Sequence, residues 1–260
     1  MRPENPSLKV RLARSEADLR SAERLRYRVF VEELGAEGDL VDHEQRLERD
    51  EFDPHVETLV LVDEKRQEAG LDHVVGVYRL LSQAKARNLG RFYCDAEYDL
   101  TQLHASGRPL LEFGRSCMDA DYRGGPGLFL LWNGLADFVL KSGAEILFGV
   151  ASFHGTDPEA LAQPLSWLHH NHLAPPEIRP VARPEGFQRL DILPPEALDR
   201  QAAMASLPPL LKAYLRLGGT VGEGAFIDRP FNTTDVLLLV DIKTMSAKHR
   251  RIYTKEAAPA

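Results

Sequence analysis

Two charged residues stand inside one apolar segment of this sequence. Residues 110–118 read as a buried strand that carries Glu112 and Arg115, and a turn with three glycines follows at 123–127. Isolated charges among apolar side chains are strongly unfavourable, so both residues are candidates for chemistry or for a buried ion pair. The free N–H groups of the turn and of the predicted helix after it, 128–140, would form a site for a phosphate-bearing ligand.

The spacing of Glu112 and Arg115 predicts a distortion of this strand. Because they are three residues apart, a regular strand would send them to opposite faces, and a bulge near Gly114 would bring them to one side. Such a bulge would also free backbone N–H groups that can polarise a thioester carbonyl. Glu112 could then accept a proton from an attacking amine, directly or through water. A buried salt bridge is the alternative for Glu112.

Two further arginines lie on predicted apolar faces. Arg26 stands four residues from Ala22 and from Phe30 on the apolar side of the first helix, and Arg79 lies in an apolar strand. A buried guanidinium needs a carboxylate partner. For both arginines, a structural ion pair and a pocket-forming role are open. The candidate partners of Arg26 are Asp50, Asp53 and Glu112.

The bulk composition is that of an ordinary soluble globular protein. The chain has 260 residues, of which 43% are hydrophobic and 27% charged, and its net charge is -7. This charge argues against general nucleic-acid binding, which needs a basic surface. The cysteines are Cys94 and Cys117 alone, so we expect no disulfide framework and a reducing, cytoplasmic location. No segment reads as a signal peptide or as a membrane-spanning helix.

The order of predicted elements indicates an α/β fold with a mixed central sheet flanked by helices and a C-terminal extension. Ser15, with Asp18 three residues later, marks the start of the first helix, which Gly35 ends. The other predicted helices are 128–140, 157–170 and 208–217. The predicted strands are 8–13, 58–63, 73–81, 110–118, 145–150, 221–227 and 236–242. Residues 39–55 are predicted to form a loop or a short irregular helix, and 1–260 a single domain with a proline-rich excursion at about 175–207.

Other candidate motifs carry no chemistry in our interpretation. His169, His170 and His172 have no Cys or carboxylate beside them at ligand spacing, so we predict the end of a helix and no metal site. The turn at 123–127 lacks Gly-Lys-Ser/Thr and is therefore not a P-loop. Ser152 lacks the pattern of a nucleophile elbow, which argues against a Ser-His hydrolase.

Taken together, these residues resemble GNAT-type acyltransferases. The strand, the turn and the helix after it are similar to the pantetheine site of that fold. The pairs that resemble motifs of the acyl-homoserine lactone synthases are Arg26 with Phe30, Asp50 with Asp53, Gly76 with Arg79, and Glu112 with Arg115. Nearly the whole chain is similar to the ornithine–acyl carrier protein N-acyltransferases, in the blocks 26–33, 112–117, 131–134, 147–156, 210–218 and 228–235.

The resemblance implies an enzyme that transfers a (3-hydroxy)acyl chain from acyl carrier protein to the α-amino group of ornithine, giving lyso-ornithine lipid. The donor group would be the phosphopantetheine arm of the carrier, with no permanently bound cofactor and no metal. Glu112 and Arg115 are implied as the catalytic pair. The residues implied to bind the acceptor are Arg26, Phe30, Asp50, Asp53 and Arg79. Those implied to bind the pantetheine arm are Ser116, Cys117, Met118, Arg123, Gly124, Gly125 and Gly127.

The implied partner, acyl carrier protein, is acidic, so we expect a basic rim around the pantetheine site. Its candidates are Arg87, Arg91, Arg123 and the segment 248–251, which could equally contact anionic lipid at the inner membrane. Two alternatives are open. The first is the same transfer to another amine, such as glutamine, lysine, glycine or homoserine lactone. The second is a non-catalytic protein that binds acyl carrier protein.

Overall fold

The computed structural model describes residues 6–38, 40–67 and 70–245. By its contacts the chain divides into two units, which are described separately below. The first unit spans Met1–Leu89 and Phe113–Gly143, and the second spans Gly90–Glu112 and Ala144–Ala260. The statement that residues 1–260 form a single domain stays a prediction.

The α-helices of the described residues are α1 (Glu16–Arg26), α2 (Gln83–Leu89), α3 (Thr101–Ala105), α4 (Gly127–Ser142), α5 (Ala162–His172), α6 (Arg200–Ser206) and α7 (Pro209–Arg216). The strands are β1 (Leu8–Leu12), β2 (Glu57–Asp63), β3 (Val74–Ser82), β4 (Tyr98–Asp99), β5 (Leu110–Met118), β6 (Ile146–His154), β7 (Val181–Ala182), β8 (Phe187–Gln188), β9 (Thr220–Val221), β10 (Ala225–Asp228) and β11 (Thr233–Asp241). The mixed α/β fold class is confirmed. None of the described helices has both the length and the apolar character needed to cross a bilayer.

The first unit is built on an antiparallel sheet. Strand β2 pairs with β1 on one side and with β3 on the other, and the C-terminal part of β5 lies beside β3. Nearly every residue of β2 and β3 is buried, so both faces of this sheet are covered. Helix α1 packs on β2 and β3, and α4 packs on β1, β2 and β3. The predicted hairpin of β2 and β3 is confirmed.

Helix α1 begins where the sequence predicts. The Ser15 hydroxyl accepts a hydrogen bond from Asp18 N at 3.2 Å, while the Asp18 carboxylate accepts from Arg14 N at 2.7 Å. The N-cap is thus confirmed, but Asp18 reaches one residue further back than a capping box would. After Arg26 the helix continues as a π-helical turn, Tyr27–Glu33, which the sequence does not predict. Gly35, at φ 72°, follows the end of that turn, as expected.

The second unit contains a group of paired strands. The N-terminal part of β5 runs parallel to β6, which pairs antiparallel with β11. Strand β11 pairs with β10, and β10 with β8. A parallel pair beside antiparallel ones makes the sheet mixed, as predicted.

Several boundaries in the second unit differ from the predictions. Strand β6 continues to His154 instead of ending near Val150, and α5 begins at Ala162 instead of near Asp157. The excursion at 175–207 is more ordered than its prolines indicate, because β8 joins the sheet and α6 follows. Helices α2 and α3 are additional. Strand β8 and helices α2, α3 and α6 are short elements whose pairing or packing the local sequence does not reveal.

A close approach of α4 to β1 supports a first prediction. A Cβ atom placed on Gly134 of α4 would overlap Val10 Cγ1 of β1. We expect Gly134→Ala to lower the free energy of unfolding by about 1–3 kcal/mol, although alanine is the better helix former. Urea denaturation measures this loss. Val10→Ala in the same chain should recover most of it, and an unchanged single variant would contradict the close approach.

Candidate active site

Six charged side chains of the first unit form a network of ion pairs, here named the charged cluster. It joins helix α1, the irregular segment before β2, strand β3 and strand β5. Its members are Arg26, Glu48, Asp50, Asp53, Arg79 and Arg115. Positive and negative charges are equal in number, so the cluster can be buried without a net charge.

Arg26 is the most deeply buried member, with 1% of its surface exposed. Its two terminal nitrogens donate to the two oxygens of Asp53, each at 2.6 Å. Its Nε lies 2.6 Å from Glu48 Oε2, and Nη2 also donates to the Glu48 carbonyl oxygen at 2.5 Å. Of the predicted partners, Asp53 is therefore confirmed, whereas Glu48 was missed. Glu48 lies in a polar run with no periodicity, so no sequence signal distinguishes it from its solvated neighbours.

Asp50 connects the two other arginines of the cluster. Arg79 Nη1 lies 2.5 Å from Asp50 Oδ1, and Arg115 Nη2 lies 3.2 Å from Asp50 Oδ2. Arg79 Nη1 is also 3.3 Å from Asp53, and Arg115 Nε is 3.1 Å from Glu48. Each carboxylate thus bridges two guanidinium groups. Arg26, Asp50, Asp53, Arg79 and Arg115 are brought together, as the sequence predicts for a shared site.

The backbone of β5 changes direction at Arg115. This residue has φ 47°, in the left-handed region that non-glycine residues rarely occupy. The distortion predicted near Gly114 therefore falls one residue later. Such a conformation is unfavourable by about 1–3 kcal/mol and persists where surrounding contacts hold it, as Glu48 and Asp50 do here.

The charged cluster borders a cavity of about 500 Å³, a size typical of small-molecule pockets. One face of α1 and the segment before β2 form its walls. Its lining is part apolar and part charged: Leu19, Ala22, Glu23, Arg26, Leu40, Arg49, Asp50, Asp53, Pro54 and Thr58. Phe30, predicted to contact the acceptor, is partly buried against the hydrophobic core beside Val29 and is not among these lining residues, so its role stays a prediction.

The ion pairs shift the pKa values of the cluster. Burial alone would raise the pKa of Asp53, but the hydrogen bond and charge of Arg26, together with the charge of Arg79, lower it well below its ordinary value. Burial likewise opposes the charge of Arg26, yet Glu48 and Asp53 raise its pKa above the usual value. Both groups are therefore ionised at neutral pH.

The depressed pKa of Asp53 predicts acid sensitivity. Its ionised form stabilises the fold above the unfolded pKa of about 3.9, and that stabilisation is lost as pH falls through this value toward the folded pKa. We expect Asp53→Asn to be less stable than the wild type at pH 7 and to lose less stability between about pH 5 and pH 2. Urea unfolding midpoints measured as a function of pH give the slope of stability against pH for the wild type and for Asp53→Asn.

The control for this experiment is Asp137→Asn in α4. Asp137 makes no ion pair within the part of the chain that the structure describes. Its substitution should leave the slope of the wild type unchanged. Parallel pH curves for Asp53→Asn and the wild type would contradict the role of Asp53.

Glu112 belongs to the second unit and has backbone partners there. Its two carboxylate oxygens accept hydrogen bonds from Tyr93 N at 2.8 Å and Cys94 N at 2.7 Å. These amides open a 3₁₀ turn, Tyr93–Ala96, and Glu112 is only 4% exposed. The carboxyl group is thus held in one orientation by two backbone hydrogen bonds, which were not predicted because nothing in the sequence of that turn indicates them.

The glycine-rich turn lies between β5 and α4, as predicted. Arg123 Nε donates to the Met118 carbonyl oxygen at 2.9 Å, and Nη2 lies 2.7 Å from Glu33. Gly124 has φ 71°, a conformation that glycine adopts easily. Gly127 starts α4, and a Cβ there would lie 3.1 Å from Leu61 Cδ2. The turn is therefore held on both sides by contacts within the first unit.

The remaining residues of the predicted pantetheine site lie in β5 and in the glycine-rich turn. Ser116 and Cys117 are in β5, before Met118, and Gly125 is an exposed residue of the turn. Burial raises the pKa of the Cys117 thiol, which leaves it protonated and a poor nucleophile. Of the predicted basic rim, Arg87 and Arg91 are exposed, and 248–251 lies outside the described residues.

Three carboxylates of the second unit lie close enough together to share a cation. Ligand oxygens of Glu97, Asp228 and Asp235 are all within 4.8 Å of one another. Acidic residues also cluster without an ion, so this group carries no metal assignment. His169, His170 and His172 lie in the last turn of α5, as predicted.

Comparison with known proteins places this fold in a class. A family model described as an acetyltransferase (GNAT) domain matches residues 25–133. The acyl-homoserine lactone synthase BjaI, solved with SAM and isopentyl-CoA, aligns with a TM-score of 0.52 at 15% identity, over 92% of this chain and 82% of that one. The AHL synthase LasI aligns with a TM-score of 0.51 at 14% identity, over 98% and 99% of the two chains. The protein is a GNAT acyltransferase.

Sequence relatives define the family more narrowly. An L-ornithine Nα-acyltransferase of Rhodobacter capsulatus is 63% identical over 96% of this chain and 95% of its own. One of Brucella abortus is 40% identical over 96% of this chain and 90% of its own. The chain belongs to the L-ornithine Nα-acyltransferase family.

Proposed function

We propose that this enzyme transfers a (3-hydroxy)acyl group from acyl carrier protein to the α-amino group of ornithine. The observation that carries the proposal is the cavity beside the charged cluster, whose wall contains carboxylates and guanidinium groups within the volume of one small ligand. Ornithine has two amino groups and a carboxylate, so it needs charges of both signs. The names of the relatives support ornithine as the acceptor.

The reaction joins the α-nitrogen to the thioester carbonyl carbon and breaks the carbon–sulfur bond. The products are an amide and the free thiol of the phosphopantetheine arm. The α-ammonium loses two protons as it becomes an amide: the base takes one and passes it to solvent, and the other ends on the sulfur as the thiol proton. An α-ammonium has a pKa of about 8, so it must lose a proton before it can attack. Glu112, with Arg115 as the second catalytic residue, is the proposed base.

The proposed donor site is the glycine-rich turn and its neighbours. Arg123, with the amides of Gly124, Gly125 and Gly127 at the start of α4, would bind the phosphate of the pantetheine arm. Backbone amides of 116–118 would stabilise the negative charge on the carbonyl oxygen. All of these groups would contact the acyl donor, and none of them would contact the amino acid acceptor. We further propose that no permanently bound cofactor takes part. We also propose that the enzyme is in peripheral contact with the inner membrane when it releases its product.

The test is thiol release from 3-hydroxyacyl carrier protein by the purified chain, with mass spectrometry of the product. We expect release that depends on ornithine and an amide on its α-nitrogen. Acyl-CoA of the same chain length is the matched donor, and a preference for it would replace the carrier protein. Turnover with another amino acid alone would replace the acceptor. Carrier binding without release from either donor, with any amine, would indicate a non-catalytic protein.

A further inference from the structure

The carboxylates that line the cavity differ in what they already bind. Asp53 accepts both terminal nitrogens of Arg26 and the backbone N–H of Asp50. Asp50 binds Arg79 and Arg115 through different oxygens. Asp53 thus accepts four hydrogen bonds with Arg79 included, and Asp50 accepts three with the backbone N–H of Phe52 included, so little of their accepting capacity remains for a new cation.

Glu23 is the lining carboxylate that remains available. It stands on α1 three residues before Arg26, on the face that forms the cavity wall. Within the described ranges, its carboxylate makes neither a hydrogen bond nor an ion pair. Burial raises the pKa of Glu23, although the charges of Arg26 and Arg49 act in the opposite direction. A cation bound in the cavity would remove this penalty on its ionised form.

Arg49 is the corresponding cation of the cavity wall. Its one described ion pair, to Asp42 at 3.4 Å, is long, and 41% of its side chain is exposed. Among the residues that the structure describes, most of its five N–H donors therefore have no strong acceptor, and a guanidinium fork matches a carboxylate well. The rest of the wall includes apolar side chains, Leu19, Ala22, Leu40 and Pro54, which suit a stem of methylene groups.

We infer that Glu23 binds the side-chain ammonium of ornithine and Arg49 binds its carboxylate, so that this pair selects a diamino acid. The inference rests on the proposed acylation of ornithine. It also accounts for the choice of nucleophile. The side-chain amine resembles that of lysine, with a pKa of about 10.4, and pairing with Glu23 holds it as a non-nucleophilic ammonium. The α-amine, with a pKa of about 8, is left to react.

The experiment compares two acceptors that differ only in the distal amine, ornithine and norvaline (2-aminopentanoate). The measured quantity is the ratio of kcat/KM for ornithine to that for norvaline. Glu23→Gln is expected to lower this ratio by about ten- to a hundredfold, the effect of a hydrogen bond to a charged group. Arg49→Gln should weaken both acceptors alike and leave the ratio unchanged, because both carry the carboxylate.

Two further variants make the result specific. Glu44→Gln changes an exposed carboxylate outside the cavity and should keep the ratio of the wild type. Glu23→Asp keeps the charge at a shorter reach and should retain more of the ratio than Glu23→Gln. Circular dichroism melting curves establish that the variants are folded.

The outcomes separate this inference from the function on which it rests. Turnover of ornithine by the wild type, with an unchanged ratio in folded Glu23→Gln, would overturn the role of Glu23 and leave the proposed function intact. Equal ratios in Glu23→Asp and Glu23→Gln would overturn the role of its charge. If the wild type does not acylate ornithine, the proposed function and this inference both fall.

Discussion

Replacing Arg26 by methionine is expected to lower the free energy of unfolding of the first unit by about 3–5 kcal/mol. Methionine fills a similar volume, so little packing is lost. What remains is Asp53 without its two hydrogen bonds at 2.6 Å and Glu48 without its partner at Nε. A buried carboxylate that loses its counter-charge retains its desolvation cost, and Arg79 and Arg115 can compensate only in part.

Urea unfolding followed by tryptophan fluorescence measures the loss. Trp132 lies in α4, where its indole N–H donates to the Tyr78 hydroxyl at 3.2 Å, so it reports on the first unit. Trp167→Phe removes the other tryptophan, which lies in the second unit.

A second substitution tests the cause of the loss. Adding Glu48→Gln to Arg26→Met removes one of the carboxylates that lost Arg26 as a partner and should restore part of the stability. The changes in the free energy of unfolding are then non-additive, as expected for neighbouring residues. A loss below about 1 kcal/mol in Arg26→Met, or strict additivity in the double variant, would contradict the importance of the cluster for folding.

Replacing Glu112 by glutamine is expected to have the second large effect, which is a lower rate of acyl transfer. If Glu112 accepts the proton of the attacking amine, kcat should fall by about 10²–10⁴. The change also has a structural consequence, because an amide NH₂ would face one of the two N–H donors, Tyr93 or Cys94. An unsatisfied donor at a buried site costs about 1–3 kcal/mol of stability.

Asp95→Asn separates the two effects of Glu112→Gln. The Asp95 side chain accepts a hydrogen bond from Phe92 N at 2.8 Å, so its substitution perturbs the start of the same 3₁₀ turn without touching Glu112. Steady-state kinetics with saturating donor and acceptor give kcat for each variant, and urea midpoints give the stability. Comparable losses of kcat in both variants would make Glu112 a residue that positions the turn. A rate within a few-fold of the wild type for Glu112→Gln would remove it as the base.

Local sequence signals were sufficient for the elements with strong periodicity or clear end signals. The Ser15 cap, the hairpin of β2 and β3, strand β5 and helix α4 were all predicted, because apolar spacing and glycine mark them. The mixed sheet was predicted as well. The short elements α2, α3 and α6 were missed, and the packing partners of α3 and α6 lie far away in sequence.

The candidate site was predicted in part for the same reason. Arg26, Arg79 and Arg115 were recognisable as charges on apolar faces, and Asp53 as a nearby carboxylate. Glu48 and Glu23 resemble solvated charges of a loop and a helix, so only their tertiary surroundings reveal their burial and the cavity. The left-handed backbone of Arg115 is likewise imposed by its ion pairs, because an arginine at that position carries no turn signal.

The π-helical turn Tyr27–Glu33 determines how the residues after it are rotated about the helix axis relative to those before it. A turn that bonds residue i to i+5 accommodates more chain than an α-helical one. Deleting one residue from it would let the turn close as α-helix, and everything beyond would rotate by about 100° relative to Arg26. Glu33, which pairs with Arg123 of the glycine-rich turn, would then face another direction. The length of this turn thus fixes how Glu33, and with it the ion pair to Arg123, is placed relative to Arg26 in the cavity wall.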